Sequence, residues 1–138
     1  MAFSNNKTRV TLIVSDNRPV NLDLFTIKQP LPAIASIIHR ISGLLLFVGI
    51  AGLLFIFGES LDSRDSFIAL QAMMSGGFAK FVLWVVVSAL IYHFVAGIKH
   101  LLMDWGIGET LEGAQLGAKL VVGISAILII YTGVSIIW

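Results

Sequence analysis

Three stretches of the chain run without a charged residue: Ile41 to Gly58, Phe81 to Ile98 with titratable His93 inside it, and Leu120 to Trp138. At 1.5 Å of rise per residue, each is long enough to cross a hydrocarbon core of about 30 Å as a helix. Helix is the expected form, because an open strand in lipid leaves backbone N–H and C=O groups without partners. The pattern predicts an all-α membrane protein with three transmembrane helices, over approximately 33–58, 79–104 and 118–138. Residues 1–28 form a polar, mixed-charge segment ahead of this anchor, which occupies 29–138. The first helix is expected to begin near Pro30 or Pro32, since proline is tolerated in a first turn and pushes the residue before it out of helix.

Composition agrees with lipid as the solvent. The 138 residues are 57% hydrophobic and 12% charged, with a mean hydropathy of +0.95, against roughly 45–50% apolar and about 25% charged in an ordinary soluble domain. Residues 1–28 lack an apolar core followed by a small-residue cleavage site, so no secretory signal is expected ahead of the spans and the mature chain is expected to start near Met1. The chain has no cysteine, which excludes disulfides and any iron–sulfur cluster held by this chain alone. It carries no glycine-rich nucleotide fingerprint, and nothing points to nucleic acid.

The cationic residues set an expected orientation. Lys7, Arg9, Arg18, Lys28 and Arg40 precede the first apolar run, and Lys99 and Lys119 flank the connection between spans two and three. Only Arg64 and Lys80 lie in the other connection, so seven cations face two. By the positive-inside rule the N-terminus is expected to be cytoplasmic, and three crossings place the C-terminus at the opposite face of the membrane.

Two polar stripes interrupt the apolar pattern. Ser36, His39, Arg40 and Gly43 follow i, i+3, i+4 and i+7 at the start of the first span, which puts them within about 100° on one helix face. His93, Gly97, His100 and Asp104 follow i, i+4, i+7 and i+11 at the end of the second. Charged or titratable groups at membrane depth are costly unless a partner compensates them, so both stripes are candidate sites. His93 and His100 stand about 10.5 Å apart along the axis, too far to share one metal ion. A flat, wide cofactor against the helix suits the spacing, with an imidazole at its iron and Gly97 leaving room for a ring; haem is such a group. Alternative readings are a snorkelling Arg40, a His93 bonded between helices, and a His100–Asp104 pair that only caps a helix end. Glycines 49, 52, 58, 117, 123 and 133, with Ser125 and Ser135, are expected to permit close helix packing, and Met73 and Met74 to pack at the outer interface.

Taken in order, Arg18-Pro19-Val20-Asn21-Leu22-Asp23-Leu24, then Ser36-x-x-His39-Arg40-x-Ser42-Gly43, then His93-x-x-x-Gly97-x-x-His100-x-x-x-Asp104, the chain resembles the cytochrome b membrane anchors of bacterial succinate dehydrogenase, respiratory complex II. The similarity covers roughly residues 18–138. It implies half of a six-helix membrane domain completed by a second anchor subunit, with a flavoprotein subunit and an iron–sulfur subunit docked on the cytoplasmic face of the bacterial inner membrane. The resemblance also implies one haem b shared with the second anchor, His93 as its axial ligand on this chain, and ubiquinone as substrate. Ser36 and Arg40 match positions lining the quinone pocket. His39 and Arg40 match groups near the haem propionates, and His100 and Asp104 carry over as a supporting polar shell. No residue of this chain is expected to be catalytic by itself; the enzyme requires its partners. Rival functions are an anchor of fumarate reductase working with menaquinone, and a haem-free structural or transport protein.

Overall fold

The computed structural model describes residues 28–137, so the N-terminal segment with its Arg18–Leu24 motif, and Trp138, lie outside the described residues. Four helices follow one another: α1 (Leu31–Asp62), α2 (Arg64–Met74), α3 (Gly77–Asp104) and α4 (Leu111–Ile137). Among these, α1, α3 and α4 are long and apolar enough to cross a membrane.

Local chemistry explains the helix ends. Pro30 sits extended at the N-cap of α1 with Pro32 in the first turn, and the Pro30 carbonyl accepts from the N–H groups of Ala33 at 2.9 Å and Ile34 at 3.2 Å. With 32 residues, α1 spans about 48 Å and therefore projects beyond a hydrocarbon core of about 30 Å. The connection between the first two spans is itself largely helical. Ser63 caps α2, its Oγ accepting from the Ser66 N–H at 3.0 Å, and Asp65 sits in the first turn where the helix dipole favours an anion. Met73 and Met74 consequently lie on α2, where they line an apolar cleft of about 460 Å³ against α1 and α3. On the other side, α3 closes through Gly106 and Gly108 at φ of +81° and +79°, a left-handed backbone that glycine adopts without steric cost. The helix that follows starts at Leu111, well ahead of the expected third span.

Helix α3 is the centre of the bundle, packed against both α1 and α4, while α1 and α4 also touch and α2 lies against α1 and α3. The buried positions are mostly small: Ala35 and Leu46 on α1, Ala89, Tyr92 and Ala96 on α3, Ala118 and Val121 on α4. Small residues let helix backbones approach closely, which is how helices associate where lipid removes the hydrophobic drive. Of the expected packing glycines, Gly49 meets Val86, Gly117 meets the Lys99 stem and Gly133 meets Trp84, whereas Gly52, Gly58 and Gly123 have no neighbour within 4 Å of a built Cβ. Ser125 is buried, but Ser135 is exposed.

Candidate functional site

Helices α1 and α3 present their polar stripes to each other. On α1 the residues turned inward are Ala35, His39, Ser42, Gly43 and Leu46, recurring at three and four residues along one face. Ser36 is half-buried at the margin of that face and Arg40 is exposed. The predicted stripe is thus divided by the packing: His39 and Gly43 enter the interface, and Arg40 points away from it. On α3, His93, Gly97 and His100 are half-buried, and Asp104 is exposed at the helix end.

The three imidazoles gather in one place. His39 stacks on His93 with centroids 4.1 Å apart and planes 16° from parallel, and tilts against His100 at 5.1 Å. A Cβ built on Gly97 would lie 3.8 Å from the His39 Nε2, so within this chain the ring over Gly97 is an imidazole from α1. That Nε2 is buried without a hydrogen-bond partner. Glycine eases the approach at Gly43, where a Cβ would lie 3.0 Å from His93 Cε1, closer than carbon atoms ordinarily pack. Although three histidines meet, stacked rings present their faces rather than lone pairs to one another, and among the described residues no group of three His, Cys, Asp or Glu is arranged to hold a metal ion.

His93 is held by its Nδ1. That atom lies 3.1 Å from Ser42 Oγ and 3.1 Å from the His39 carbonyl oxygen, while Ser42 Oγ–H donates to the same carbonyl at 2.7 Å. A hydroxyl has one proton. With it given to His39, the Ser42 oxygen is left as an acceptor, and both partners of Nδ1 are acceptors. Nδ1 must therefore carry the proton, which leaves the lone pair on Nε2. This is the tautomer that a metal-ligating histidine needs, with its other N–H given to a carbonyl or similar acceptor. The donor set at His93 fits haem.

Two contributors were not singled out from sequence. Ser42 was legible only as the second serine of Ser36-x-x-His39-Arg40-x-Ser42-Gly43; its position three residues after His39 is the signal that it faces the same way. Tyr92, next to His93, donates its buried hydroxyl to the Ala35 carbonyl at 3.0 Å and fixes the register of α3 on α1. Nothing in the local pattern marks it.

Residues 14–132 match the family described as Succinate dehydrogenase/Fumarate reductase transmembrane subunit. The chain is 39% identical over 120 residues to a succinate dehydrogenase cytochrome b556 subunit of Coxiella burnetii, covering 86% of this chain and 96% of that one. It is 30% identical over 116 residues to the cytochrome b556 subunit of Paracoccus denitrificans, covering 84% and 89%. A mitochondrial cytochrome b560 subunit of Mus musculus is 34% identical over 117 residues, covering 78% and 65%. A match of this extent, on a bundle whose central helix pair brings His39, His93 and His100 together, leaves one assignment: the chain belongs to the succinate dehydrogenase/fumarate reductase transmembrane subunits, as a cytochrome b membrane anchor of complex II.

Proposed function

We propose that the chain anchors a succinate:ubiquinone oxidoreductase in the bacterial inner membrane, shares one haem b with a second anchor subunit, and forms part of the site where ubiquinone is reduced. The carrying observation is the fixed ring of His93, whose Nδ1 faces two acceptors and whose Nε2 keeps its lone pair. His93 Nε2 would give this chain's axial bond, with His39, His100, Arg40 and Asp104 as the polar shell toward the propionates. When bound, the haem supplies a one-electron store beside the quinone site. The names of the similar cytochrome b subunits support that cofactor.

At the other edge of the α1 stripe, Ser36 and Arg40 are the hydrogen-bond donors offered to a quinone head group. They are four residues apart, about 6 Å of rise, so one head group spans both. Arg40 is exposed rather than spent inside the bundle, which leaves its guanidinium free to orient a carbonyl oxygen and stabilise charge developing on it. The His39 and Arg40 end of α1 faces the cytoplasm in this reading, as the cation asymmetry favours. Flavoprotein and iron–sulfur subunits dock there, and the second anchor completes six helices. The chain then works as the non-flavin, electron-delivering part of the enzyme.

The test is spectroscopic, on the complex purified with its partner chains. His93→Leu removes the low-spin b-type spectrum or converts it to high spin, whereas His100→Leu leaves the iron six-coordinate. The reverse pattern overturns the ligand assignment.

A further inference from the structure

Resting on the reading of His93 as the axial ligand, we infer that Ser42 is a positioning residue for the haem iron: its hydroxyl and the His39 carbonyl form a two-acceptor clamp that holds the His93 imidazole in the Nδ1–H tautomer. Ser42 is 4% exposed, so water does not substitute for it. Its Oγ takes part in both arms of the clamp, donating to the His39 carbonyl at 2.7 Å and accepting from His93 Nδ1–H at 3.1 Å. The carbonyl accepts the same Nδ1–H at 3.1 Å. Gly43, the next residue, lets the ring sit within contact distance of α1. A serine one helical turn after a histidine ordinarily bonds only its own helix; here the spare lone pair reaches across to α3.

Two consequences follow from the chemistry. An imidazole that gives its N–H to good acceptors donates more electron density through its other nitrogen, which favours the oxidised metal. It also has no free rotation about its own χ2, so the ligand lone pair is aimed before the iron arrives. Ser42→Ala leaves a single acceptor for Nδ1–H. The freed carbonyl recovers part of the bond, so the haem stays, but it is held less well.

The experiment uses the complete complex, comparing wild type with Ser42→Ala, Ser42→Thr, Ser88→Ala and His93→Leu. Ser88 is the matched control, because its Oγ bonds back to the Trp84 carbonyl at 2.7 Å within α3. Two readings are taken: the midpoint potential of the haem by redox titration of its spectrum, and the rate of haem transfer to excess apomyoglobin. Ser42→Ala is expected to raise the potential and speed haem loss about tenfold, the lower end of what losing such a supporting bond costs in metal affinity. Ser42→Thr, which retains a hydroxyl, returns both toward wild type, and Ser88→Ala changes neither. Should Ser42→Ala not assemble, the near-isosteric Ser42→Cys, a poor acceptor, gives the same two readings. Wild-type potential and transfer rate in Ser42→Ala overturn the clamp, as does a loss of thermal stability alone, which is all that a packing role produces. Retention of a six-coordinate haem in His93→Leu instead overturns the ligand reading on which the clamp rests.

Discussion

At the scale of single residues, the α1 stripe separates into groups with different tasks and different expected costs. Removing a hydrogen bond from a charged donor costs about 1.5 to 3 kcal/mol, roughly ten- to hundred-fold if the bond acts in the transition state. Arg40→Leu is expected to lower quinone reductase activity by that factor while sparing succinate oxidation by a soluble dye that takes electrons upstream. Ser36→Ala, which removes a neutral donor worth about 0.5 to 1.5 kcal/mol, is expected to cost tenfold or less in the same paired assay. Unchanged quinone turnover in both variants, with intact haem spectra, returns Arg40 to a snorkelling role. Gly43 belongs to the interior group. A built Cβ there meets His93 Cε1 at 3.0 Å, so Gly43→Val overpacks the interface by about 1 to 3 kcal/mol. The expected result is a lower thermal midpoint together with reduced haem content per complex.

Between elements, the two ends of the bundle are held by different devices. Near the histidines, Tyr92 bonds α3 to the Ala35 carbonyl of α1. Toward the other end, Trp84 ties α3 to α4, its Nε1–H donating to the Ile129 carbonyl at 3.0 Å while its ring lies over Gly133. A Cβ on Gly133 would come within 2.9 Å of that Nε1. Gly133→Val is therefore expected to expel the indole and lower the thermal midpoint of the detergent-solubilised complex, a cost of about 1 to 3 kcal/mol. Trp84→Phe, which keeps most of the ring and loses the donor, costs about 0.5 to 1.5 kcal/mol. Equal stability of Gly133→Val and wild type would show that α3 and α4 are held elsewhere. Neither pair was legible from sequence. Six glycines looked equally suited to close packing, and which of them meets a neighbour depends on the rotation of each helix, a quantity set by the partner surface.

For the whole molecule, the surface is as informative as the interior. Large apolar side chains such as Phe47, Phe55 and Phe94 are 65% or more exposed in this chain, as expected where lipid or other membrane helices cover them. The other two imidazoles do not supply a second iron ligand opposite His93, since His39 lies face to face with it at 4.1 Å and His100 packs on His39. The chain purified alone and given haem is thus expected to show no stable low-spin b-type spectrum, and co-expression with a second anchor bearing a membrane histidine is expected to restore it. A stable six-coordinate haem on the isolated chain would contradict a ligand shared between subunits.

The amino-acid sequence by itself determined the membrane class, the helical form of the spans, the proline-marked start of α1 and the two stripes that carry His39, Arg40, His93 and His100. These are local properties: hydropathy over a bilayer's length, and a period of 3.6 residues, are written in consecutive positions. The helical nature of the connection between the first two spans was available in its Ser63 cap and Asp65, but its modest hydrophobicity hid it. Only the tertiary structure decided that His39 stacks on His93 over Gly97, that Arg40 lies outside the pairing, and that Ser42 shares a proton network with a ring 51 positions further along the chain. Each of these depends on the rotation of α1 against α3. That rotation is fixed by contacts such as Tyr92 with Ala35 and Gly43 with His93, which join residues far apart in sequence and so leave no mark in the local pattern of either helix.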